Sequence, residues 1–203
     1  ISQVKVNPND PKLKNPTKFI GKHYDKELAS EMMRKFNWQM KEQEADSWRR
    51  VVSSPTPQYL FNGNSIKHMM EFGTIVIAAG GGGIPAYIKE DKGLRLVDGV
   101  IDKDMTSALL ARIVKSEEFF IITDVGHVCL NYGSNDAKKI HKSSLEEMKR
   151  WLKEGHFKEG TMKPKIEAAI YFLEHHGEKV IITSIDNIEN AIQGKSGTII
   201  KKV

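Results

Sequence analysis

Four consecutive glycines, Gly80, Gly81, Gly82 and Gly83, follow the apolar run Ile75, Val76, Ile77, Ala78, Ala79 and are closed by Ile84 and Pro85. No other segment restricts the fold as tightly. A strand ending in residues without side chains can turn backbone N–H groups into one concavity and approach a phosphate or carbonyl oxygen closely. The same run can also be a flexible turn or a bulge. Two further segments favour the cradle. Asp102, Lys103 and Asp104 follow the apolar pair Val100 and Ile101, and Thr161, Met162, Lys163, Pro164 and Lys165 open a helical pattern. Phosphate chemistry on an α/β sheet needs charged segments at strand-to-helix junctions of this kind.

With 203 residues, 39% of them hydrophobic, the chain can bury one good-sized core or two modest ones. No apolar stretch approaches the roughly 20 residues that a membrane helix needs, so no membrane partner is expected. Nothing at the start resembles a secretory signal. The single cysteine, Cys129, leaves no intrachain disulfide and fits a reducing compartment, so the expected location is cytoplasmic. The net charge of +5 comes from lysines spread through every segment, which reads as a solvated surface and not as a nucleic-acid face. The histidines lack the spacing of a zinc site, and no nucleophile-elbow motif is present. Ile1, Ser2, Gln3, Val4, Lys5 and Val6 alternate like a strand already under way, so further residues are expected upstream.

Residues 1–14 read as the end of an amino-terminal lobe, 15–54 as a small projecting subdomain bounded by proline-bearing loops, and 55–203 as a nucleotide-binding lobe. Within the subdomain, Leu28, Met32 and Phe36 predict a short helix, and 38–40 and 48–52 predict strands. Beyond Pro57, Ile66, Met69 and Met70 predict a helix ended by Gly73, and 74–79 a strand. A hairpin-like insertion follows around Asp91, Lys92 and Gly93. A helix carries Leu109, Leu110 and Ile113, 119–123 forms a strand, and Ser144 with Glu147 marks a capping box. Ile166, Ala169, Ile170 and Leu173 make the clearest amphipathic stripe. Strands at 180–183 and 198–200 flank a last helix. Alternating strands and helices argue for a parallel sheet covered on both faces. The methionines at 32, 33, 69 and 70 are expected in the core.

Asp104 is a candidate N-cap, and beside a glycine cradle the pair Lys103 and Asp104 has a second reading: the lysine neutralises a phosphate and the aspartate orients it. Lys165 lies near a helix N-terminus, where a cation is mildly unfavourable unless an anion is nearby. Thr123 and Asp124 end a buried strand, where ligands of open α/β sheets gather, or they form an ordinary turn.

Taken together, NPTKFIG at 15–21, WRRVV at 48–52, AAGGGGIPA at 78–86, VIDKD at 100–104, ITDV at 122–125, GTMKPKIEAAI at 160–170 and ITS at 182–184 resemble the carbamate kinase family. The resemblance runs in order and spacing along the whole chain. It implies a three-layer α/β/α sandwich of the amino-acid kinase type with a mainly parallel central sheet and a small projecting subdomain. It also implies a homodimer that uses magnesium and ATP with carbamate to make ADP and carbamoyl phosphate, run towards ATP in arginine catabolism. On this resemblance Lys103 and Lys165 stabilise the transferring phosphoryl group and Asp104 holds those lysines. Gly80, Gly81, Gly82 and Gly83 lie under phosphates and carbamate, and Lys18 reaches in from the projecting subdomain. Thr123, Asp124, Met162 and Pro164 line the nucleoside pocket. A second glycine-rich phosphate loop is implied upstream of Ile1. The chain departs from the family at Phe19, at 44–47, at Ser53 and at Lys163, where a glycine is usual. The phosphate loop missing from these 203 residues and the altered 44–47 turn carry the alternative expectation, a catalytically silent nucleotide-binding relative or assembly subunit of the same fold.

Overall fold

Alternation decides the first strand. In β1 (Gln3–Val6) Val4 and Val6 are fully buried while Lys5 faces solvent. The structure, a computed structural model, describes residues 2–91 and 93–202. After β1 a proline-rich turn leads into a separate antiparallel layer built from β2 (Lys18–Tyr24), α1 (Lys26–Phe36), β3 (Met40–Glu44) and β4 (Ser47–Val52), with strand order β2-β4-β3. Asp25 caps α1 by accepting from the Leu28 N–H at 2.8 Å, and Asn37, at a φ of 54°, ends it in the left-handed region. The sequence places the first strand after this helix at 38–40. The ladder instead starts at Met40, because Trp38 packs its ring against Phe36 and under the Arg50 guanidinium, 4.5 Å from the ring centre.

The chain returns through β5 (Pro57–Leu60), which pairs antiparallel with β1, and enters α2 (Gly63–Glu71). Ile66 of α2 is buried against Val4 and Leu60. Met69 and Met70, one turn further along that helix, are 43% and 45% exposed, and Met33 is also exposed, so the expectation of four core methionines is corrected. Helical spacing alone does not say how far along the helix its apolar face is covered.

Residues 74–79 alternate as expected of a strand: Val76 and Ala78 pack on the Val4–Leu60–Ile66 cluster, whereas Ile75 and Ile77 are 95% and 99% exposed. No ladder partner pairs with them among the described residues, and the strand of this region is β6 (Ile84–Ile88), parallel to β1 and antiparallel to β7 (Leu94–Leu96).

The larger core belongs to the carboxyl-terminal half. α3 (Lys103–Val114) precedes β8 (Glu118–Thr123), a small ribbon of β9 (Val128–Leu130) and β10 (Lys138–Ile140), then β11 (Lys142–Ser144). α4 (Leu145–Glu154) starts on the expected capping box, with the Ser144 hydroxyl accepting from the Glu147 N–H and the Glu147 carboxylate accepting from the Ser144 N–H. α5 (Met162–Glu174), β12 (Lys179–Ser184), α6 (Ile188–Ile192) and β13 (Thr198–Lys201) complete the order. β12 runs parallel to β8 over six paired positions and antiparallel to β13, which is parallel to β11. Val180 and Ile182 of β12 face α5, where Ile166, Phe172 and Leu173 are fully buried, and α6 also packs on β12. Each such side chain contributes about 1.5–3 kcal/mol when taken from water. Because α3 packs along α5, their first turns lie side by side.

Candidate functional site

The glycine run is divided between two tasks. Gly80 and Gly83 hold φ of +70° and +86°, and Ala79 before them sits at +65°, a conformation that costs an alanine on the order of 1 kcal/mol. A methyl group on Gly82 would lie 2.1 Å from the Ile101 carbonyl oxygen, and one on Gly83 would lie 2.6 Å from Val4. Gly82 and Gly83 are therefore glycine because protein backbone and side chain press on them. A methyl group added at Gly80 or Gly81 would meet nothing within 4 Å among the described residues, so these two are the open part of the loop. The buried Thr106 hydroxyl donates to the Gly82 carbonyl at 2.8 Å and ties the loop to α3.

The first turn of α3 holds two acids with different jobs. Asp102, not Asp104, is the N-cap: its Oδ1 accepts from the N–H groups of Asp104 at 3.0 Å and Met105 at 3.2 Å. The helix begins at Lys103, two residues earlier than a cap at Asp104 would require. Asp104 is thus free to accept from Lys165 Nζ at 2.9 Å, a pair whose side chains are only 13% and 14% exposed. The other oxygen of Asp102 accepts from Lys18 Nζ at 2.5 Å. Burial acts to raise the Asp102 carboxyl. The Lys18 ammonium and the two backbone donors more than reverse this, leaving it below the usual carboxylate range. Lys103 is exposed and makes no ion pair among the described residues, so the expected hold of Asp104 on two lysines is seen for Lys165 alone.

A cleft of about 450 Å³ opens between the β2–β4–β3 layer and the first turns of α3 and α5. Lys18, Asp102 and Pro164 line it, with Lys12, Lys163 and Glu167. Lys163 pairs with Glu159. Burial pushes the Glu167 carboxyl upward, with Lys163 and Lys12 drawing it back and Glu159 and Asp102 adding to the rise. At the mouth, Lys158 pairs with Glu44 at 2.7 Å, and the Phe19 ring lies beside Gly160.

The amino acid kinase family matches residues 20–184 of this sequence. The chain belongs to the amino acid kinase family. Among curated relatives, a carbamate kinase of Thermoplasma acidophilum is 45% identical over 200 residues, covering 98% of this chain and 65% of that protein. A carbamate kinase of Thermococcus kodakarensis is 44% identical, with 98% of this chain and 62% of that protein covered. The chain thus spans less than two thirds of the length of these relatives. Carbamate kinase from Giardia lamblia bound to citric acid superposes with a TM-score of 0.91 at 36% identity, covering 99% of this chain and 63% of that one. The same enzyme bound to AMP-PNP gives 0.82 at 38% identity. The fold is therefore the α/β amino-acid kinase fold, with mixed sheets in which β1–β6, β8–β12 and β11–β13 are the parallel pairs.

In this amino acid kinase chain the remaining predicted residues fall in two places. Thr123 ends β8 and donates its hydroxyl to Asp124 at 2.9 Å, and no described hydrogen bond or ion pair links either residue to the Lys165–Asp104 pair. Met162 opens α5 but turns towards the main core, while Pro164 two residues on faces the cleft. Sequence reasoning assigned no role to Asp102, Thr106, Lys12 or Glu167. Asp102 carried a usable signal, since an aspartate directly before a helical pattern is an N-cap candidate. Thr106 carried none, because its partner is a main-chain carbonyl 24 positions away.

Proposed function

We propose that this chain carries the phosphoryl-handling part of a carbamate kinase, moving a phosphoryl group between ATP and carbamate to give ADP and carbamoyl phosphate. The observation that supports it most directly is the buried Lys165–Asp104 pair beside Asp102–Lys18 at the foot of the glycine loop. Phosphoryl transfer leaves little covalent work to the protein; positioning and charge neutralisation supply most of the rate. In this reading Lys165 and Lys103 bear on the oxygens of the transferring group, and Asp104 fixes the direction of the Lys165 ammonium. The open N–H of Gly81 faces the acceptor or its phosphate beside Gly80, and Gly82 and Gly83 hold that loop in place. The nucleoside lies against Thr123, Asp124, Met162 and Pro164. Carbamate oxygen is already anionic, so no general base is needed. Magnesium enters with the nucleotide as part of the substrate. The flux towards ATP in arginine catabolism, the homodimer and the cytoplasmic location belong to the same proposal.

The test is ATP formation from ADP, magnesium and carbamoyl phosphate, read by luciferase, in the protein carrying the upstream segment that the resemblance implies. Activity that vanishes in Lys165→Met supports the reading. No ATP, or equal ATP from acetyl phosphate, overturns it. One observation favours the silent alternative: Lys163, where the family has glycine, fills part of the cleft and pairs with Glu159. Nucleotide binding without turnover, restored by Lys163→Gly, is the result that this alternative requires.

A further inference from the structure

Lys18 and Asp102 are 84 residues apart and belong to different layers, yet they meet at 2.5 Å. Lys18 is the first residue of β2, where the chain enters the projecting layer, and Asp102 is the residue on which α3 starts. Their side chains are 28% and 19% exposed, so the pair is better shielded than the outlying Lys158–Glu44 contact, at 48% and 59%. Shielding decides which contact matters, because exposed pairs contribute little.

The two oxygens of Asp102 are used differently. Oδ1 is committed to the helix, accepting from Asp104 N and Met105 N. Oδ2 faces the cleft and takes only Lys18 among the described residues. A carboxylate in this place also repels any phosphate that enters the cleft beside α3. Lys18, paired with it, is a cation of the cleft able to change partners.

We propose that Asp102 is a positioning residue: a resident counter-ion that holds Lys18 at the cleft and hands it to the phosphoryl group when an anion arrives. The idea rests on the phosphoryl-transfer reading for the identity of that anion. The parking of Lys18 itself does not depend on turnover. Through Lys18, Asp102 couples the projecting layer to the helix that carries Lys103 and Asp104. When the anion takes Lys18, the Oδ1 contacts keep α3 unchanged.

The separation of tasks gives a clean variant. Asparagine caps helices as well as aspartate does but carries no charge to hold Lys18. Asp102→Asn should keep the fold, and Asp102→Ser, also a good cap, serves if it does not. On the chain as it stands, acetylation of Lys18 by acetic anhydride, followed by mass spectrometry, should be about fivefold to tenfold faster in Asp102→Asn than in the parent, as loss of a charged hydrogen bond implies. Inorganic phosphate at millimolar concentration should slow it again in the variant. Equal Lys18 labelling in parent and variant, with both folded, overturns the proposal. So does faster labelling that phosphate leaves unchanged.

A second arm uses the active protein. Asp102→Asn should lower KM for carbamoyl phosphate, because a competing carboxylate is gone, and lower kcat, because Lys18 is less well placed. In a Lys18→Met background the same change should leave kcat within about twofold. Losses in kcat that multiply independently in the double variant overturn the proposal. Absence of carbamoyl phosphate turnover in the parent removes the functional reading but leaves the labelling result to decide the role of Asp102.

Discussion

Replacing Gly82 by alanine tests whether the glycine loop is a scaffold element or merely a ligand surface. The added Cβ would lie 2.1 Å from the Ile101 oxygen, 2.4 Å from its carbonyl carbon and 2.7 Å from its Cβ. Ordinary contact needs about 3.4 Å, so the two main chains must part by roughly 1 Å or more. Forced overpacking of this kind costs about 1–3 kcal/mol, and loss of the Thr106 hydrogen bond to the Gly82 carbonyl adds about 1 kcal/mol. For a domain of this size each kcal/mol lowers the unfolding midpoint by about 2–4 °C, so a fall of about 5–15 °C is expected. Ile101 directly precedes Asp102, so the displacement reaches the candidate site, where a 1 Å error can cost about a hundredfold in rate. Gly81→Ala, with nothing within 4 Å, is the control and should unfold within a degree or two of the parent. Differential scanning calorimetry and the luciferase assay read both effects. A Gly82→Ala protein with the parental midpoint would mean that the contact with Ile101 is not formed as described.

Three further outcomes follow from particular contacts. Lys165→Met removes the partner of a nearly buried carboxylate, so it should lower both the unfolding midpoint and, by about a hundredfold or more, turnover, while ADP affinity from isothermal titration changes little. Ser144→Ala breaks the capping box of α4 and should cost about 1 kcal/mol in urea unfolding with no change in KM. Glu167 has a folded-state carboxyl raised by burial, so the folded protein binds the extra proton and loses stability as pH rises through the raised value; Glu167→Gln should therefore raise the midpoint at pH 7 and give no gain near pH 4. A lower midpoint for that variant at pH 7 would contradict the burial argument.

Local chemistry was readable wherever a residue acts on its own neighbourhood. The capping box at Ser144, the amphipathic stripe of α5 and the strand at β12 all follow from spacing within about ten residues, and the structure has each of them. The left-handed turns at Asn37 and Lys115 were not marked, because neither position carries the glycine that signals such a turn. Contacts between distant segments were not readable either. Asp104 looked like the cap because capping and ion pairing ask for the same side chain, and the start of α3 at Lys103 with Lys165 beside it divides the work between Asp102 and Asp104. Burial of Met69 and Met70 failed for a related reason: periodicity shows that a helix has an apolar face, and tertiary packing decides what covers it. The strand expected at 74–79 shows the same limit, since alternation was right and pairing depends on residues elsewhere.

Taken on their own, these 203 residues carry that segment into solution largely uncovered. Thr74, Ile75, Val76, Ile77, Ala78 and Ala79 carry neither charge nor proline, and Ile75 and Ile77 stand almost wholly in water. Among the described residues, two main-chain hydrogen bonds involve residues 74–79, the Thr74 N–H to Met69 and the Gly80 N–H to Ala78. An apolar stretch with unused main-chain donors is a template for stacking with its own kind. The net charge of +5 keeps whole molecules apart at low ionic strength, and added salt screens that repulsion while strengthening the apolar contact. Salt that would calm a purely electrostatic association should therefore promote clustering of this protein, and a lysine at position 77 should keep its solutions clear.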